Sequence, residues 1–476
     1  MKTPTATSSR KDLFPYFDAL APEQDRWSAK NAYYHGHLAR VFSFCIPPGS
    51  SVLEVGSGTG QLLEALQPRR GVGIDFSPAM VRAAQQKHPH LEFRVDDVEN
   101  LRLEEKFEYI VVSDLIGFLH DVQRSLENLH RVSTPRTRVI ISYHNFLWEP
   151  ILKMGERLGL KAKQPTQNWL GHTDIQNLLE LAGFEVVRKT TRLLLPKYLP
   201  LLSALCNRVL VHLPLFRRLG LVNLLIARPC PKPAGRDYSC TVVIPCRNER
   251  DNIESAVLRT PKMGTHTELI FVEGGSSDGT VQAIERVIAA HPDRDIQFLP
   301  QGDGRGKGDA VRKGFAAAKG DILMILDADL TVEPEELPKF YEALVSGHGE
   351  FAHGSRLVYP MEKQAMRFLN MMGNKFFSMA FTYLLDQRFK DTLCGTKVLF
   401  RSDYEKLAAN RSYFGDFDPF GDFDLIFGAA KLNLRIVEIP IHYRERRYGT
   451  TNIQRFRHGW LLLRMTAYAM RKMKFV

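Results

Sequence analysis

Short apolar runs alternate with segments of helical spacing in two separate parts of this chain. The first alternation, over residues 30–190, contains SVLEVG, GVGIDF, LEFRVD, YIVVSD, RVIISY and GFEVVR. The second begins at Tyr238 and contains CTVVIPC, ELIFVEGG, IQFLP, ILMILDAD and RIVEIPIHY. Strands that alternate with helices predict a mainly parallel sheet covered by helices on both faces. We therefore expect two α/β domains.

Proline and glycine mark the boundary between the two alternations. Residues 191–236 are an apolar connector that prolines interrupt, and they end in ARPCPKPAGRD. The expected domains are residues 30–190 and 237–450. A helical or flexible lead, residues 1–29, precedes them, and a basic amphipathic helix, residues 451–476, follows.

A glycine-rich turn follows the first predicted strand, in VLEVGSGTGQLLEAL. Three glycines allow a sharp turn and a close approach to a ligand: Gly56, Gly58 and Gly60. The spacing differs from the dinucleotide pattern GxGxxG, because the third glycine comes one residue early. An acidic residue, Glu54, lies just before the turn, and Asp75 ends the next strand, where an acid can bind both ribose hydroxyls of a nucleoside.

This arrangement resembles the class I S-adenosylmethionine-dependent methyltransferases, and later segments follow that family's order. The resemblance implies a Rossmann-like fold and an S-adenosylmethionine site formed by Glu54, the three glycines and Asp75, and by Asp97, Val98 and Asp114. Asp97 and Val98 lie in RVDDVENL, the counterpart of the adenine-contacting turn, and Asp114 corresponds to the residue under the methyl donor. The alternative is a dinucleotide-binding or a non-binding Rossmann domain, in which Asp75 and Asp97 are ordinary loop acids. No general base stands out among His35, His37, His120 and His144, and the methyl acceptor stays open.

The stretch ILMILDADLT is an apolar run that ends in two aspartates. Its first residues are typical of a buried strand in a parallel sheet. Since strand side chains alternate between faces, Asp327 and Asp329 project to the same side. Adjacent carboxylates repel, and each raises the pKa of the other unless a positive charge lies nearby. The pattern therefore predicts a cationic partner.

The order of CTVVIPCRNERDNI, ELIFVEGGSSDGT and GRGKGDAVRKGFAAAKGDILMILDADL resembles the family 2 glycosyltransferases, whose fold is called GT-A. The resemblance implies that Asp327 and Asp329 hold Mg²⁺ or Mn²⁺ against the diphosphate of a nucleotide sugar, with Asp329 also catalytic. It implies further donor or acceptor contacts from Pro245, Arg247, Glu249, Glu273, Lys307 and Arg356. The common DDGS is EGGS in this chain, which leaves the choice of nucleobase open.

The later segments resemble the dolichyl- and polyprenyl-phosphate sugar transferases. Asp422 and Asp424 match paired acids on a helix, and Arg446 and Tyr448 match a turn that closes over phosphate, although Asn452 leaves one basic contact missing. The expected reaction is an inverting transfer to a polyprenyl phosphate or a lipid-linked glycan. A glycan or metabolite hydroxyl is the alternative acceptor and needs a base, for which we expect Asp422 or Asp424. In this alternative, the N-terminal domain is a methyltransferase-like binding module.

The formal net charge of +11 favours anionic partners, such as phosphates or an anionic membrane face. Nucleic acid is not expected, since no recognition-helix pattern and no basic strands interleaved with aromatics are present. Residues 193–228 and the C-terminal tail mix apolar and basic side chains, as do helices on membrane surfaces. Packing against their own domains is the alternative. The six cysteines form no CxxC pair, and residues 1–12 have no apolar core. We therefore expect a cytoplasmic protein, peripheral on the inner face of the membrane.

Overall fold

The structure, a computed structural model, describes residues 10–230, 237–304, 306–357, 368–410, 422–444, 448 and 455–474. The chain divides into two units. The described part of the first ends at Cys230, and that of the second begins at Asp237.

The first unit is built around a seven-stranded sheet with the order β3-β2-β1-β4-β5-β7-β6. Its strands are β1 Ser51–Val55, β2 Arg70–Asp75, β3 Glu92–Val95, β4 Phe107–Ser113, β5 Ser133–His144, β6 Phe184–Arg192 and β7 Val222–Pro229. The pairs from β3 to β5 are parallel, and β7 runs antiparallel to both β5 and β6. The six strands expected from the first alternation are therefore confirmed.

Helices surround this sheet, and a helical segment precedes it. The helices are α1 Arg10–Leu20, α2 Gln24–Lys30, α3 Ala32–Cys45, α4 Gln61–Ala65, α5 Pro78–Lys87, α6 Val122–Asn128, α7 Glu149–Arg157, α8 His172–Leu181, α9 Leu202–Ala204 and α10 Pro214–Arg217. Apolar strand residues such as Leu53, Ile110 and Ile141 are fully buried against them. Burying both faces of the sheet supplies the core of the unit.

The expected connector, residues 191–236, is divided by the structure. Residues 222–229 form β7, an entirely buried strand between β5 and β6. Residues 193–221 are an insertion between β6 and β7 that contains α9 and α10. The first unit therefore extends past residue 190, because the apolar run VNLLIARP completes the sheet.

The second unit contains a seven-stranded sheet with the order β10-β9-β8-β11-β13-β12-β14. Its strands are β8 Cys240–Cys246, β9 Thr267–Glu273, β10 Asp295–Pro300, β11 Ile322–Ile325, β12 Phe351–Ser355, β13 Lys397–Phe400 and β14 Ile436–Pro440. β13 is antiparallel to its neighbours β11 and β12, and the other pairs are parallel. Two α/β domains with mainly parallel sheets are thus confirmed.

The strands β12 and β13 have no counterpart among the sequence predictions. The β12 sequence FAHGS lacks an apolar run, yet all five of its residues are buried. His353 and Ser355 are carried into the interior by pairing with β13 and β14. Long-range pairing therefore overrides the weak local signal.

The second unit's helices are α11 Ile253–Arg259, α12 Thr280–Ala290, α13 Gly306–Ala317, α14 Leu337–Val345, α15 Phe368–Leu385, α16 Arg401–Ala409, α17 Asp422–Lys431 and α18 Arg455–Ala469. The C-terminal helix α18 packs on α15 through buried side chains that include Met465 and Met473 in the turn that follows. The buried Lys474 ammonium lies 2.7 Å from the Asp386 carboxylate. The apolar side of this tail therefore packs on its own unit, although Trp460 stays 72% exposed.

Candidate functional sites

In the first unit, the glycine turn connects β1 to α4. Gly56, Gly58 and Gly60 all have positive φ angles, of 74°, 52° and 80°. A Cβ on Gly60 would lie 2.6 Å from the Phe93 ring, so a larger residue is excluded both by conformation and by space. The glycines therefore allow a tight turn against the end of β2, where the Gly56 amide donates to the Ile74 carbonyl at 2.8 Å.

Asp75, at the end of β2, holds this turn in place. Its Oδ2 accepts a hydrogen bond from the Gly58 amide at 2.9 Å, and its Oδ1 accepts one from the Ser77 amide at 2.9 Å. Burial raises the pKa of the carboxyl, and the two amide bonds oppose that shift. Each carboxylate oxygen can accept a further hydrogen bond, which is the capacity that two ribose hydroxyls require.

A pocket that is partly open to solvent adjoins Asp75. Four of the predicted cofactor residues line it together: Gly56, Asp75, Asp97 and Val98. The Asp97 Oδ1 also accepts a hydrogen bond from the Glu99 amide at 3.0 Å, which fixes the turn around Val98. One pocket therefore combines the turn, the acid and the adenine-contacting segment expected from the sequence.

Glu54, Gly58, Gly60 and Asp114 do not line this pocket. The Glu54 carboxyl is buried beneath the turn, where its Oε2 accepts a hydrogen bond from the Leu63 amide at 3.1 Å. Burial raises the pKa of Glu54 to about 8. This carboxyl therefore supports the start of α4, and Asp114 lies in a neighbouring pocket.

Helix α1 contributes residues that sequence reasoning missed. Leu13 lines the same pocket, and the Phe17 ring packs edge-on against Phe76 and Phe118. The Asp18 Oδ1 accepts hydrogen bonds from the Ala79 amide and the Ser77 hydroxyl. The N-terminal segment has no glycine or acid motif, so its sequence gave no signal that it covers a pocket. Only the spacing of its apolar side chains could have indicated this contact.

In the second unit, the candidate site lies where β8, β9 and β11 end at one edge of the sheet. β8 is the middle strand of the three, and its Cys246 pairs with Glu273 of β9. On the other side, the Leu326 amide donates to the Val243 carbonyl, so Asp327 follows next to the end of β8. Strands are spaced about 4.8 Å apart, which puts Glu273 and Asp327 about 10 Å apart across the edge.

Asp327 has a cationic partner. The Lys307 ammonium, in the first turn of α13, lies 2.6 Å from its Oδ1. Burial alone would raise the pKa of the Asp327 carboxyl, but Lys307, with the Lys397 and Arg356 cations, holds it below its ordinary value. A Cβ on Gly395 would lie 2.0 Å from the Asp327 Oδ2 and 2.5 Å from the Lys307 Nζ. The backbone at Gly395 therefore closes against this ion pair.

Asp329 and the two glutamates complete the edge. The Asp329 Oδ1 accepts hydrogen bonds from the Thr331 amide at 3.2 Å and from its hydroxyl at 2.9 Å. The buried Glu249 accepts a hydrogen bond from the Asn252 side chain at 2.7 Å. Burial, reinforced by the nearby charges of Glu273 and Glu249, raises the pKa of the Cys246 thiol. The four acids thus lie at or just beyond the ends of three neighbouring strands.

The remaining predicted substrate residues are distributed unevenly. Pro245 is half-buried in β8, and the Arg247 side chain, on an exposed residue, passes over Gly274. The Tyr448 hydroxyl lies 3.5 Å from the Asp278 Oδ2, near the start of α12. Asp424 lies in the first turn of α17. Asp422 begins that helix, but its side chain and all of Arg446 lie outside the described residues.

Arg356 is a buried residue with a buried partner. Its guanidinium donates to the Asp391 carboxylate through Nε at 2.7 Å and Nη2 at 2.9 Å, and its amide donates to the same carboxylate at 3.0 Å. The Asn374 side chain and the Leu393 amide also donate to Asp391. The Arg356 charge lies over the Tyr443 ring, 5.0 Å from its centre. The structure therefore clamps this arginine from several sides.

Two further properties concern the described part of the chain. No three His, Cys, Asp or Glu side chains converge there in a way that could hold a metal ion by themselves. No helix in the same ranges has both the length and the apolar character that crossing a bilayer requires.

Two family models match the chain. The model described as "Methyltransferase domain" matches residues 28–189, and the model described as "Glycosyl transferase family 2" matches residues 241–407. The chain is therefore a fusion of a methyltransferase domain and a family 2 glycosyltransferase domain, as the order of motifs predicted.

Curated relatives of the second domain are sugar transferases. Dolichol-phosphate mannosyltransferase from Saccharomyces cerevisiae is 38% identical over 113 residues, which are 23% of this chain and 41% of the relative. Undecaprenyl-phosphate 4-deoxy-4-formamido-L-arabinose transferase from Edwardsiella ictaluri is 35% identical over 112 residues, which are 23% of this chain and 34% of the relative. The chain thus matches less than half the length of each. A solved structure of glucosyl-3-phosphoglycerate synthase from Mycobacterium tuberculosis is 19% identical, with 50% of this chain and 81% of that chain covered and a TM-score of 0.36.

Proposed function

We propose that the C-terminal domain transfers a sugar from a nucleoside diphosphate sugar to a polyprenyl phosphate. The observation that carries this proposal is the edge at which Asp327, Asp329, Glu249 and Glu273 follow three neighbouring strands. Glu249 and Glu273 are the candidates for contacting the nucleoside. The two aspartates are the candidates for the diphosphate end. The two relatives are named as transferases to dolichol phosphate and to undecaprenyl phosphate, which supports a polyprenyl phosphate as the acceptor.

The two aspartates fit Mg²⁺ or Mn²⁺. Their carboxylates are hard oxygen ligands, and such cations are commonly held by one or two carboxylates plus substrate phosphates. The ion pair with Lys307 keeps the Asp327 carboxylate ionised, which is the form that a cation binds. A bound cation would stabilise the charge that develops on the leaving diphosphate. Lys307 adds a second positive charge at the same end.

A phosphate acceptor needs alignment more than a base. It is already an anion, so its oxygen can attack the anomeric carbon while the bond to the diphosphate breaks, which inverts the configuration. Arg446 and Tyr448 are our candidates for closing over the acceptor phosphate. Asp422 and Asp424 are the candidates for the base that a hydroxyl acceptor would need.

We also propose that the N-terminal domain binds S-adenosylmethionine and transfers its methyl group. The pocket beside Asp75 supports this, because it joins the acid, the glycine turn and the segment of Asp97 and Val98. The cofactor supplies an activated methyl group, and the chain supplies its position relative to an acceptor. Leu13 of α1 would then cover the nucleoside.

A peripheral position on an anionic membrane is the last part of the proposal. The insertion between β6 and β7 exposes large apolar side chains, of which Leu201 is 88% and Leu215 is 74% exposed. Basic side chains lie among them at Lys197, Arg208 and Arg217. This mixture fits an interfacial segment, with leucines among the acyl chains and cations at the headgroups.

The decisive experiment measures release of nucleoside diphosphate by the purified full chain from UDP-, GDP- and dTDP-sugars. It is run with and without a polyprenyl phosphate and with EDTA. Asp329→Ala should reduce release at least 100-fold, while Asp293→Ala, at a position 67% exposed and outside the site, should not change it. Release that requires both lipid and metal supports the proposal. Metal-dependent release without lipid moves the acceptor to a hydroxyl, and no release from any donor refutes the glycosyl transfer.

A matching experiment tests the membrane arm. Co-sedimentation with phosphatidylglycerol vesicles should be strong, and it should be weak with phosphatidylcholine vesicles. A double variant, Leu201→Asp with Leu215→Asp, should lose binding while release from the sugar donor in detergent stays unchanged. Equal sedimentation of the variant and the wild type would refute this arm alone.

A further inference from the structure

A second pocket, partly open to solvent, lies beside the pocket of Asp75 in the first unit. Asp114, Tyr143, His144 and Trp169 are among the residues that line it. One short turn after β4 separates the two pockets: Leu115 and Phe118 line the first, whereas Ile116 and Gly117 line the second. A group bound in the second pocket is therefore adjacent to one bound in the first.

The parallel strands β4 and β5 bring two of these residues together. Ser113 pairs with Ser142, so Asp114 and His144 lie just past this pair. Asp114 has a φ of 52°, and its amide donates to the Ser142 carbonyl at 3.0 Å. The Ser142 hydroxyl in turn donates to the Asp114 Oδ1 at 3.0 Å. A left-handed residue at a strand end costs free energy, and such residues cluster at functional sites.

A buried tyrosine of α3 bridges the two side chains. The Tyr34 hydroxyl donates to the Asp114 Oδ2 at 2.5 Å, and its oxygen lies 3.1 Å from the His144 Nε2. Because the Tyr34 proton points at Asp114, the Tyr34 oxygen accepts from His144, which assigns the hydrogen to Nε2. The basic lone pair of the imidazole is then on Nδ1.

Burial of the imidazole favours its neutral form. It lowers the pKa of His144; the nearby Asp114 carboxylate opposes this shift, and the Lys161 cation adds to it. Burial and Asp114 raise the pKa of Tyr34 well above its ordinary value, so the phenol keeps its proton. His144 is thus a neutral base at neutral pH, with Asp114 4.0 Å away to stabilise the imidazolium once it forms.

Resting on the proposed methyl transfer, we propose that this second pocket is the methyl-acceptor site and takes an alcohol hydroxyl, with His144 as the base. The hydroxyl oxygen forms its bond to the methyl carbon as the carbon–sulfur bond breaks, and the electron pair of that bond stays on the sulfur of the neutral thioether product. The hydroxyl proton moves to the His144 Nδ1 and from there to water. Tyr34 and Asp114 are positioning residues that fix the tautomer and orientation of the imidazole.

The chemistry of the pocket selects a hydroxyl. A carboxylate acceptor needs no base and is repelled by Asp114. An amine loses its proton to water before it attacks, whereas an alcohol keeps its proton until the transition state and needs a base at that moment. A neutral imidazole held beside a carboxylate supplies this base. An alcohol hydroxyl is therefore the acceptor that requires the base His144 and the two residues, Tyr34 and Asp114, that position it.

The surface next to α3 indicates that the alcohol belongs to an amphiphile. The ring of Tyr33, the neighbour of Tyr34, lies tilted against that of Tyr198 with 5.7 Å between the ring centres, and its hydroxyl accepts a hydrogen bond from Asn207. Both partners belong to the insertion with the exposed leucines, and Leu158 at the end of α7 is exposed as well. Alkyl glycosides, which join sugar hydroxyls to an apolar chain, are the matching probes.

The test follows tritiated methyl transfer from S-adenosylmethionine to octyl glucoside by the full chain, with octylamine as the amine probe. His144→Gln should lower the rate at least 100-fold, the usual contribution of a positioned base, while calorimetry finds the affinity for S-adenosylhomocysteine within twofold. His120→Gln, at an exposed position, is the matched control and should not change the rate. The wild-type rate should fall as the pH is lowered, because one proton-accepting group, His144, becomes protonated. Tyr34→Phe should change the pH at which half of the rate is lost.

A second readout does not depend on turnover. In protein labelled with ¹⁵N-histidine, the His144 signal, identified by its absence from His144→Gln, should titrate below the ordinary histidine range and shift when octyl glucoside is added. Tyr34→Phe should change both its tautomer signature and its titration midpoint. A merely structural role of Tyr34 would leave both unchanged.

The outcomes separate the inference from the proposed function. Absence of S-adenosylhomocysteine binding refutes the methyltransferase proposal, and the acceptor site falls with it. If S-adenosylhomocysteine binds but His144→Gln keeps the wild-type rate, His144 is not the base. Methylation of octylamine without octyl glucoside overturns the hydroxyl, and methylation of neither probe overturns the acceptor site.

Discussion

The buried ion pair of Arg356 with Asp391 makes a quantitative prediction about the second unit. Asp391→Leu would leave the guanidinium buried without its carboxylate, and it would remove the acceptor of the Asn374 and Leu393 donors. The Arg356 residue itself is buried, and the Asp391 side chain is fully buried. Water therefore cannot replace the lost contacts without opening the structure.

The size of the effect follows from these contacts. Removing one partner of a buried, hydrogen-bonded pair costs about 3–5 kcal/mol of unfolding free energy. Replacing both partners by apolar side chains, with Arg356→Met added to Asp391→Leu, removes the uncompensated charge. The cost that remains comes from the orphaned Asn374 and Leu393 donors, at about 1–3 kcal/mol. The double variant should therefore be more stable than Asp391→Leu.

Hydrogen exchange of the full chain, read peptide by peptide, measures this without assuming a single unfolding transition. Peptides that cover β12 and β13 should exchange about two to four orders of magnitude faster in Asp391→Leu, since about 1.4 kcal/mol corresponds to a factor of ten. Peptides of β1 to β5 in the first unit are the internal control. If exchange stays within fivefold of wild type, or if the single and double variants exchange at equal rates, the ion pair of Arg356 with Asp391 does not stabilise the second unit as argued.

Three further predictions concern both sites. The pKa of Glu54 is raised to about 8 from 4.5, so between these pH values the folded state holds a proton that the unfolded state releases. The free energy of unfolding should therefore fall by about 1.4 kcal/mol per pH unit as the pH rises from 4.5 to about 8. Calorimetry should find this slope reduced in Glu54→Gln, and an unchanged slope would contradict it. Asp75→Ala should weaken binding of S-adenosylhomocysteine by at least about 100-fold in titration calorimetry, because two hydrogen bonds to a charged group, at about 1.5–3 kcal/mol each, are lost; an unchanged affinity would remove Asp75 from the site. Gly395→Ala should displace the Asp327 carboxylate and abolish nucleoside diphosphate release, while Gly373→Ala, with open space around it, should keep wild-type release.

Much of the fold could be predicted because the strands of both units are strong local signals. The runs at β1, β4 and β8 are mainly apolar and that at β11 is wholly apolar, since parallel strands are buried on both faces. The glycine turn and Asp75 were equally legible, because their roles depend on backbone conformation and on position at a strand end. Local chemistry was sufficient for these features.

The rest depends on partners distant in the chain. Arg356 was expected near the sugar or acceptor, and nothing in HGSR indicates a carboxylate at Asp391. Tyr34 and Asp114 are 80 positions apart, and only the packing of α3 on the sheet brings them together. Sequence reasoning left His144 among four undistinguished histidines because its tautomer and surroundings depend on these contacts.

The strand β7 has a consequence for biosynthesis. In the described sheet, β6 pairs only with β7, and β7 separates β6 from β5. This edge of the first sheet therefore cannot assemble before residue 229 has left the ribosome. The apolar insertion of residues 193–221 is synthesised earlier and emerges while that edge is still open. A recombinant fragment ending at residue 190 would expose the β5 edge and most of the β6 backbone, whereas one ending at Cys230 keeps every strand paired. During translation, the exposed leucines of this insertion are therefore accessible to chaperones or to a membrane before β7 completes the sheet.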